Sequence, residues 1–83
     1  MAVRFHPHAL ERMIERGATE DEVKAAIKLG EQFPARFGRP GFRRNFPFDN
    51  ERRGRYYRTK QVEAYAAREN CDWLVITVIT RYF

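Results

Sequence analysis

Lys60, Glu63, Tyr65 and Arg81 have the side-chain types that metal-free RNA cleavage requires. Attack of a ribose 2′-hydroxyl on its own phosphate needs a base, an acid for the leaving oxygen and positive charge beside the phosphate. Spacing alone does not bring these residues together, and with Gln61 they also read as ordinary cross-strand polar pairs. A second group, His8, Arg12 and Arg16, recurs at every fourth residue and forms a slowly drifting row on a helix. It reads as a phosphate-contacting ridge, or as a helix that offers His8 as a general base. The competing reading is local: exposed ion pairs with Glu11 and Glu15, and a histidine that covers the helix start.

The third feature is a basic segment. From Arg36 to Lys60 nine basic residues face only Asp49 and Glu51, a local net charge of +7, whereas the rest of the chain carries −2. Arg43, Arg44, Arg52, Arg53, Arg55 and Arg58 alternate here with Phe37, Phe42, Phe46, Phe48, Tyr56 and Tyr57. Phosphate neutralisation by arginine gives affinity for nucleic acid, and aromatic rings can stack on unpaired bases. In a domain this small the aromatics are expected mainly in the core, and the arginines to face an anionic partner. RNA is the favoured partner, and an acidic protein is the alternative. Thirteen of the sixteen basic residues are arginine, which suits phosphate geometry. A GC-rich genome would also raise that ratio, without explaining the clustering.

These residues must be positioned by a single domain, because 83 residues allow no more. A lone cysteine, Cys71, excludes an internal disulfide, and without a Cys/His cluster no metal or cofactor is expected. The N-terminus has no signal-peptide pattern, and the longest apolar run, Trp73 to Ile79, is far shorter than the ~20 residues of a membrane helix. The expected setting is cytoplasmic, away from membranes.

The order read along the chain is β-α-α-β-β-β, an α+β fold with a two-helix hairpin on one face of an antiparallel sheet. Val3–Phe5 alternates as a short strand. Pro7 opens a helix with Ala9, Leu10, Met13 and Ile14 on one face and Gly17 as its stop. Thr19 and Glu22 form a capping box for a second helix with a Val23, Ala26, Ile27 stripe, ended by Gly30. Residues 33–41 read as irregular or edge structure, and Phe42–Phe48 as an edge strand because of Pro47. Residues 49–54 read as a turn and 55–67 as a long strand, with 63–69 open between strand and helix. Trp73–Phe83 reads as a central strand apolar on both faces: Trp73, Val75, Ile79 and Phe83 on one, Leu74, Ile76, Val78 and Tyr82 on the other. The second face then needs a cover, either a loop or the second subunit of a homodimer.

The run from His8 to Glu20, with Val23, resembles the HA-x-x-R-M-x-x-R-G-[IA]-[ST]-x-x-x-V signature of a bacterial family of small domains of unknown function. Trp73–Val78 is similar to that family's closing strand. The resemblance implies a fold related to RelE/ParE-type toxins, two helices followed by an antiparallel sheet. RelE-like toxins cleave mRNA on the ribosome with basic and tyrosine residues of the sheet, whereas ParE-like relatives act on gyrase. No catalytic motif of either matches residue by residue, so His8, Arg12 and Arg16 carry over as signature residues only. The expected functions are an RNA-directed, metal-independent endoribonuclease toxin, a non-catalytic nucleic-acid-binding module, or a module binding an acidic protein such as an antitoxin.

Overall fold

The computed structural model describes residues 2–83; Met1, part of the expected domain, lies outside them. Strand β1 (Val3–Phe5) leads into helix α1 (Pro7–Arg16) and helix α2 (Glu20–Leu29). Four strands follow: β2 (Glu31–Pro34), β3 (Pro40–Arg52), β4 (Arg55–Glu69) and β5 (Asp72–Tyr82). They form one five-stranded sheet in the order β1-β5-β4-β3-β2. The sheet is mixed rather than antiparallel, because β1 runs parallel to β5. The two helices between β1 and the later strands allow that parallel return. Among the described residues, no helix is long and apolar enough to cross a membrane.

The helix boundaries follow their capping chemistry. His6 caps α1 by accepting from the His8 backbone N–H at 3.1 Å. Gly17 ends α1 in the left-handed region at φ 75°. The positive φ favours glycine, and a Cβ there would sit 2.8 Å from Arg52 Nη1 and 2.9 Å from Tyr82 Oη, so the ends of those two side chains would have to move aside. The Thr19–Glu22 capping box is formed in both directions.

Ala9 and Met13 of α1 and Val23, Ala26 and Ile27 of α2 are buried against Phe42, Val62, Ala64, Ala66, Trp73, Val75 and Val78 of the sheet. Leu10 and Ile14, expected on the buried face of α1, are exposed. The Ala9–Met13 row already fills the contact with β5, and Leu10 and Ile14 lie one step further around the helix. Residues 63–69 are strand, since pairing with β5 continues to Glu69 and outweighs the helix propensity of Ala66 and Ala67. Buried Ala64 and Ala66 also give the sheet a low surface beneath the helices.

Two irregularities change which side chains face the helices. On β5, Tyr65 pairs with Thr77 but Ala66 pairs with Val75, leaving Ile76 as an extra residue, a β-bulge. The bulge reverses the alternation, so Val78 and Tyr82 share the helix side with Trp73 and Val75, and Ile79 does not. The strand is therefore buried on one face only. On β3, the register shifts between Pro47 and Asn50, with Asp49 at φ 44°. Beyond this second bulge β3 and β4 continue as a two-stranded ribbon, closed by Arg53 and Gly54, both at positive φ as a tight hairpin turn requires. The expected turn at 49–54 is thus mostly strand.

Lys60 belongs to the helix side. Its ammonium is almost fully buried and donates to the Gly17 carbonyl and, at 2.7 Å, to Glu22 Oε1. It thereby joins the end of α1, the start of α2 and the sheet. Replacing it with methionine, which keeps the apolar stem, strands that carboxylate and carbonyl. Lys60→Met is expected to lose about 3 kcal/mol in urea denaturation, toward the low end for a broken buried pair because Glu22 keeps some water contact. A loss below about 1 kcal/mol, the range of a surface pair, would contradict this role.

Candidate functional site

The sheet face away from the helices carries a polar cluster centred on Glu63. Register places Arg43, Glu63 and Ile79 side by side across β3, β4 and β5. The Glu63 carboxylate is only 5% exposed. Arg81 Nη1 donates to its Oε1, and the Tyr65 hydroxyl donates to its Oε2 at 2.7 Å. Arg43 Nη1 stands 3.9 Å from Oε1, while Arg43 Nε is 3.2 Å from Glu31 Oε1 without hydrogen-bond alignment. Phe33 of β2 supports the group: the Arg43 guanidinium lies 4.0 Å from its ring centroid, and the ring meets Tyr65 edge-on at 6.0 Å. Gly41 makes this possible, since a Cβ there would lie 2.6 Å from the Phe33 ring.

Of the sequence-derived catalytic set, Tyr65 and Arg81 meet on this face and Lys60 does not. Alternation along β4 puts residues 60 and 65 on opposite sides of the sheet, and the side of Lys60 is sealed by the helices. His8 is exposed near the start of α1, also on the helix side. Glu63 is the group that organises the cluster, and its central pairing with Arg43 emerges only from the register.

The row on α1 does not act as one ridge. Arg12 pairs with Glu15 at 2.9 Å. Arg16 turns inward, donating to the Val78 carbonyl at 2.6 Å, while its own carbonyl accepts from Thr80 Oγ1 at 2.9 Å and Tyr82 Oη at 2.7 Å. Arg16 thus covers a part of β5 that the short β1 leaves unpaired.

The basic segment divides sharply. Arg43 is held by carboxylates on the open face. Among the described residues, Arg44, Arg52, Arg53, Arg55 and Arg58 have no carboxylate oxygen within 4.0 Å. All five lie on the β3–β4 hairpin, four of them on its protruding ribbon. Arg52 folds back, donating to the Glu15 carbonyl at 3.0 Å and lying 4.8 Å from the Tyr82 ring centroid. Arg53, Arg55 and Arg58 are exposed. Asp49 on the ribbon accepts from Tyr56 Oη at 3.0 Å, a bond that, with the Asp49 charge, raises the Tyr56 pKa. The aromatics also divide. Phe42 is core, meeting Trp73 edge-on at 5.1 Å, and Phe48 packs on Tyr82 at 5.0 Å. Tyr56 is exposed on the ribbon, and Phe37 is the most exposed of the set, 91%, in a short 3-10 turn, Arg36–Gly38. Its setting among Gly38, Pro40 and Gly41, outside any alternating run, is the sequence signal for that exposure. No group of three or more potential metal-ligating side chains comes together among the described residues.

Burial, then the hydrogen bond to Glu63 and its charge, raise the Tyr65 pKa above 10.0, against a smaller opposing pull from Arg81 and Arg43. Tyr65 is therefore a proton donor at neutral pH. Its contribution to stability is fully present below the unfolded value of about 10 and is lost as pH rises through the folded value. Ultraviolet titration, read as the difference from Tyr65→Phe, should place Tyr65 later than an ordinary tyrosine. Glu63→Gln should bring it part of the way back, since burial remains. An unchanged titration in Glu63→Gln would contradict the coupling.

Comparison with known proteins adds a family. No curated protein and no solved structure matches the chain significantly. Residues 5–80 match a domain of unknown function, DUF4258, a span that runs from the end of β1 almost to the end of β5. On that match over nearly its whole length, the chain belongs to the DUF4258 family.

Proposed function

We propose that this chain is an RNA-binding protein of RelE/ParE-type architecture that grips phosphate with its β3–β4 ribbon. The observation that carries the reading is the group of hairpin arginines without carboxylate partners. Unpaired guanidinium groups repel one another, and a phosphate backbone relieves that repulsion while releasing counterions. Arg44, Arg53, Arg55 and Arg58 make the primary contacts in this reading, with Arg52 and Arg16 at the ribbon's base. The two helices followed by a sheet support the relation to RelE/ParE-type toxins. The exposed free thiol of Cys71 fits a reducing, cytoplasmic setting. An acidic protein such as an antitoxin would compete for the same arginines.

The test is RNA affinity as a function of salt. Wild type should weaken steeply as salt rises. Arg53→Ala/Arg55→Ala/Arg58→Ala should reduce the slope of log affinity against log salt by about 2–3, since each lost phosphate contact removes about 0.7–0.9. A salt-independent affinity, or one unchanged in the triple variant, would contradict the reading.

The Glu63 cluster favours a second reading, cleavage of the bound strand. Glu63 takes the proton of a 2′-hydroxyl, a bond forms from that oxygen to phosphorus, and the bond to the 5′-oxygen breaks. Tyr65 gives its proton to the departing oxygen, and Arg43 and Arg81 face the phosphate. The products are a 2′,3′-cyclic phosphate and a 5′-hydroxyl. Because Glu63 is buried beneath Arg81, the substrate phosphate must first draw that guanidinium away. On this reading, induced expression arrests growth and yields cyclic-phosphate RNA ends, and Glu63→Gln or Arg81→Ala abolishes both. Intact RNA and unimpeded growth would exclude cleavage and leave the binding reading in place.

A further inference from the structure

A groove of about 430 Å3 opens between the loop that follows β2 and the helix-free face of the sheet. Arg36, Phe37 and Arg39 line the loop side, and Tyr65, Ile76 and Ile79 line the sheet side. Two features of the loop are unusual. Phe37 adopts φ 61°, ψ 31°, the left-handed region that bulky side chains rarely occupy. Its ring is nonetheless 91% exposed, so burial of the ring does not explain the strain. The loop base is fixed, since Ala35 N–H donates to the Arg39 carbonyl at 2.8 Å. The strained residue thus holds a large aromatic in solvent beside a groove, and strain of this kind persists where function selects it.

The charge around the groove indicates the occupant. Arg36 and Arg39 have no carboxylate oxygen within 4.0 Å among the described residues. The groove therefore combines an exposed ring, an apolar floor and two unpaired guanidinium groups at its rim. A nucleotide has the matching parts, a flat base and a phosphate on either side. A base inside a duplex has both faces covered by its stacked neighbours, so the fit is to single strands.

We propose that the groove seats one unpaired RNA base, stacked on Phe37, with Arg36 and Arg39 on the flanking phosphates. This rests on the RNA-binding reading and adds a specificity for single strands that the ribbon arginines do not supply.

The test uses a short single-stranded RNA carrying one 2-aminopurine, whose fluorescence is quenched by stacking, with anisotropy reporting total binding. Wild type should bind and quench. Phe37→Ala should lose the quench and about tenfold in affinity for the single strand, the scale of one base–aromatic stack. Its affinity for double-stranded RNA should be unchanged, and Phe37→Trp should restore both quench and affinity. The ring packs in no core, so the alanine variant leaves the fold intact, and circular dichroism checks this. Equal quenching and affinity in wild type and Phe37→Ala would overturn the base seat while leaving the ribbon reading standing. Binding by wild type without any quench would do the same. Absence of RNA binding by wild type would overturn both.

Discussion

The buried ammonium of Lys60 is the interaction on which the arrangement depends. It reaches from the sheet to the carbonyl that ends α1 and to the carboxylate that caps α2. The hairpin link of Gly17, Ala18 and Thr19 is too short to place the two helices independently, so this one cation helps set where both ends rest. Its position commits one face of the sheet to the helices and leaves the other free for polar groups. A lysine with the right chemistry for a phosphate is thereby spent on structure.

The same division runs through the rest of the charge. Arg16 and Arg52 satisfy backbone carbonyls around the C-terminus of α1, where positive charge also complements the helix dipole. Arg43 and Arg81 are gathered by a single buried carboxylate. Elsewhere Lys24, Lys28 and Arg68 also lack a carboxylate partner, and among the described basic residues of 36–60 those left without one lie on the β3–β4 hairpin and in the loop around Phe37. Both project from the compact part of the molecule, the ribbon because a bulge near Asp49 carries the two strands past the end of β5, the loop because Gly38 and its neighbours interrupt the sheet. The functional reading follows from this distribution of unpaired charge rather than from the total charge.

Much of the fold was legible in the residues. Gly17, the Thr19–Glu22 box and Gly30 bounded the helices because local hydrogen bonding determines those positions. The strands were legible where side chains alternate. The bulge at Ile76 was not, because an extra residue in a run of β-branched side chains without polar alternation leaves no mark, and it moved Val78 and Ile79 to opposite faces from those expected. Whether 63–69 was strand or helix was settled by pairing with β5, a long-range contact that local propensity does not register. The parallel pairing of β1 was hidden for the same reason. Within the site, Tyr65 and Arg81 both reach Glu63, a convergence that spacing in the sequence does not show. The separation of Lys60 from them is in principle readable from the alternation along β4, but only once the whole segment is known to be one continuous strand.

The central claim is that RNA contacts the exposed arginines of the β3–β4 ribbon. The most direct measurement is chemical-shift mapping of the 15N-labelled protein titrated with a short single-stranded RNA. The account predicts that the largest changes fall on Arg53, Arg55 and Arg58 and their neighbours, extending along the open face toward Arg39, with α2 unaffected. Changes concentrated on the helices, or none at saturating RNA, would contradict it.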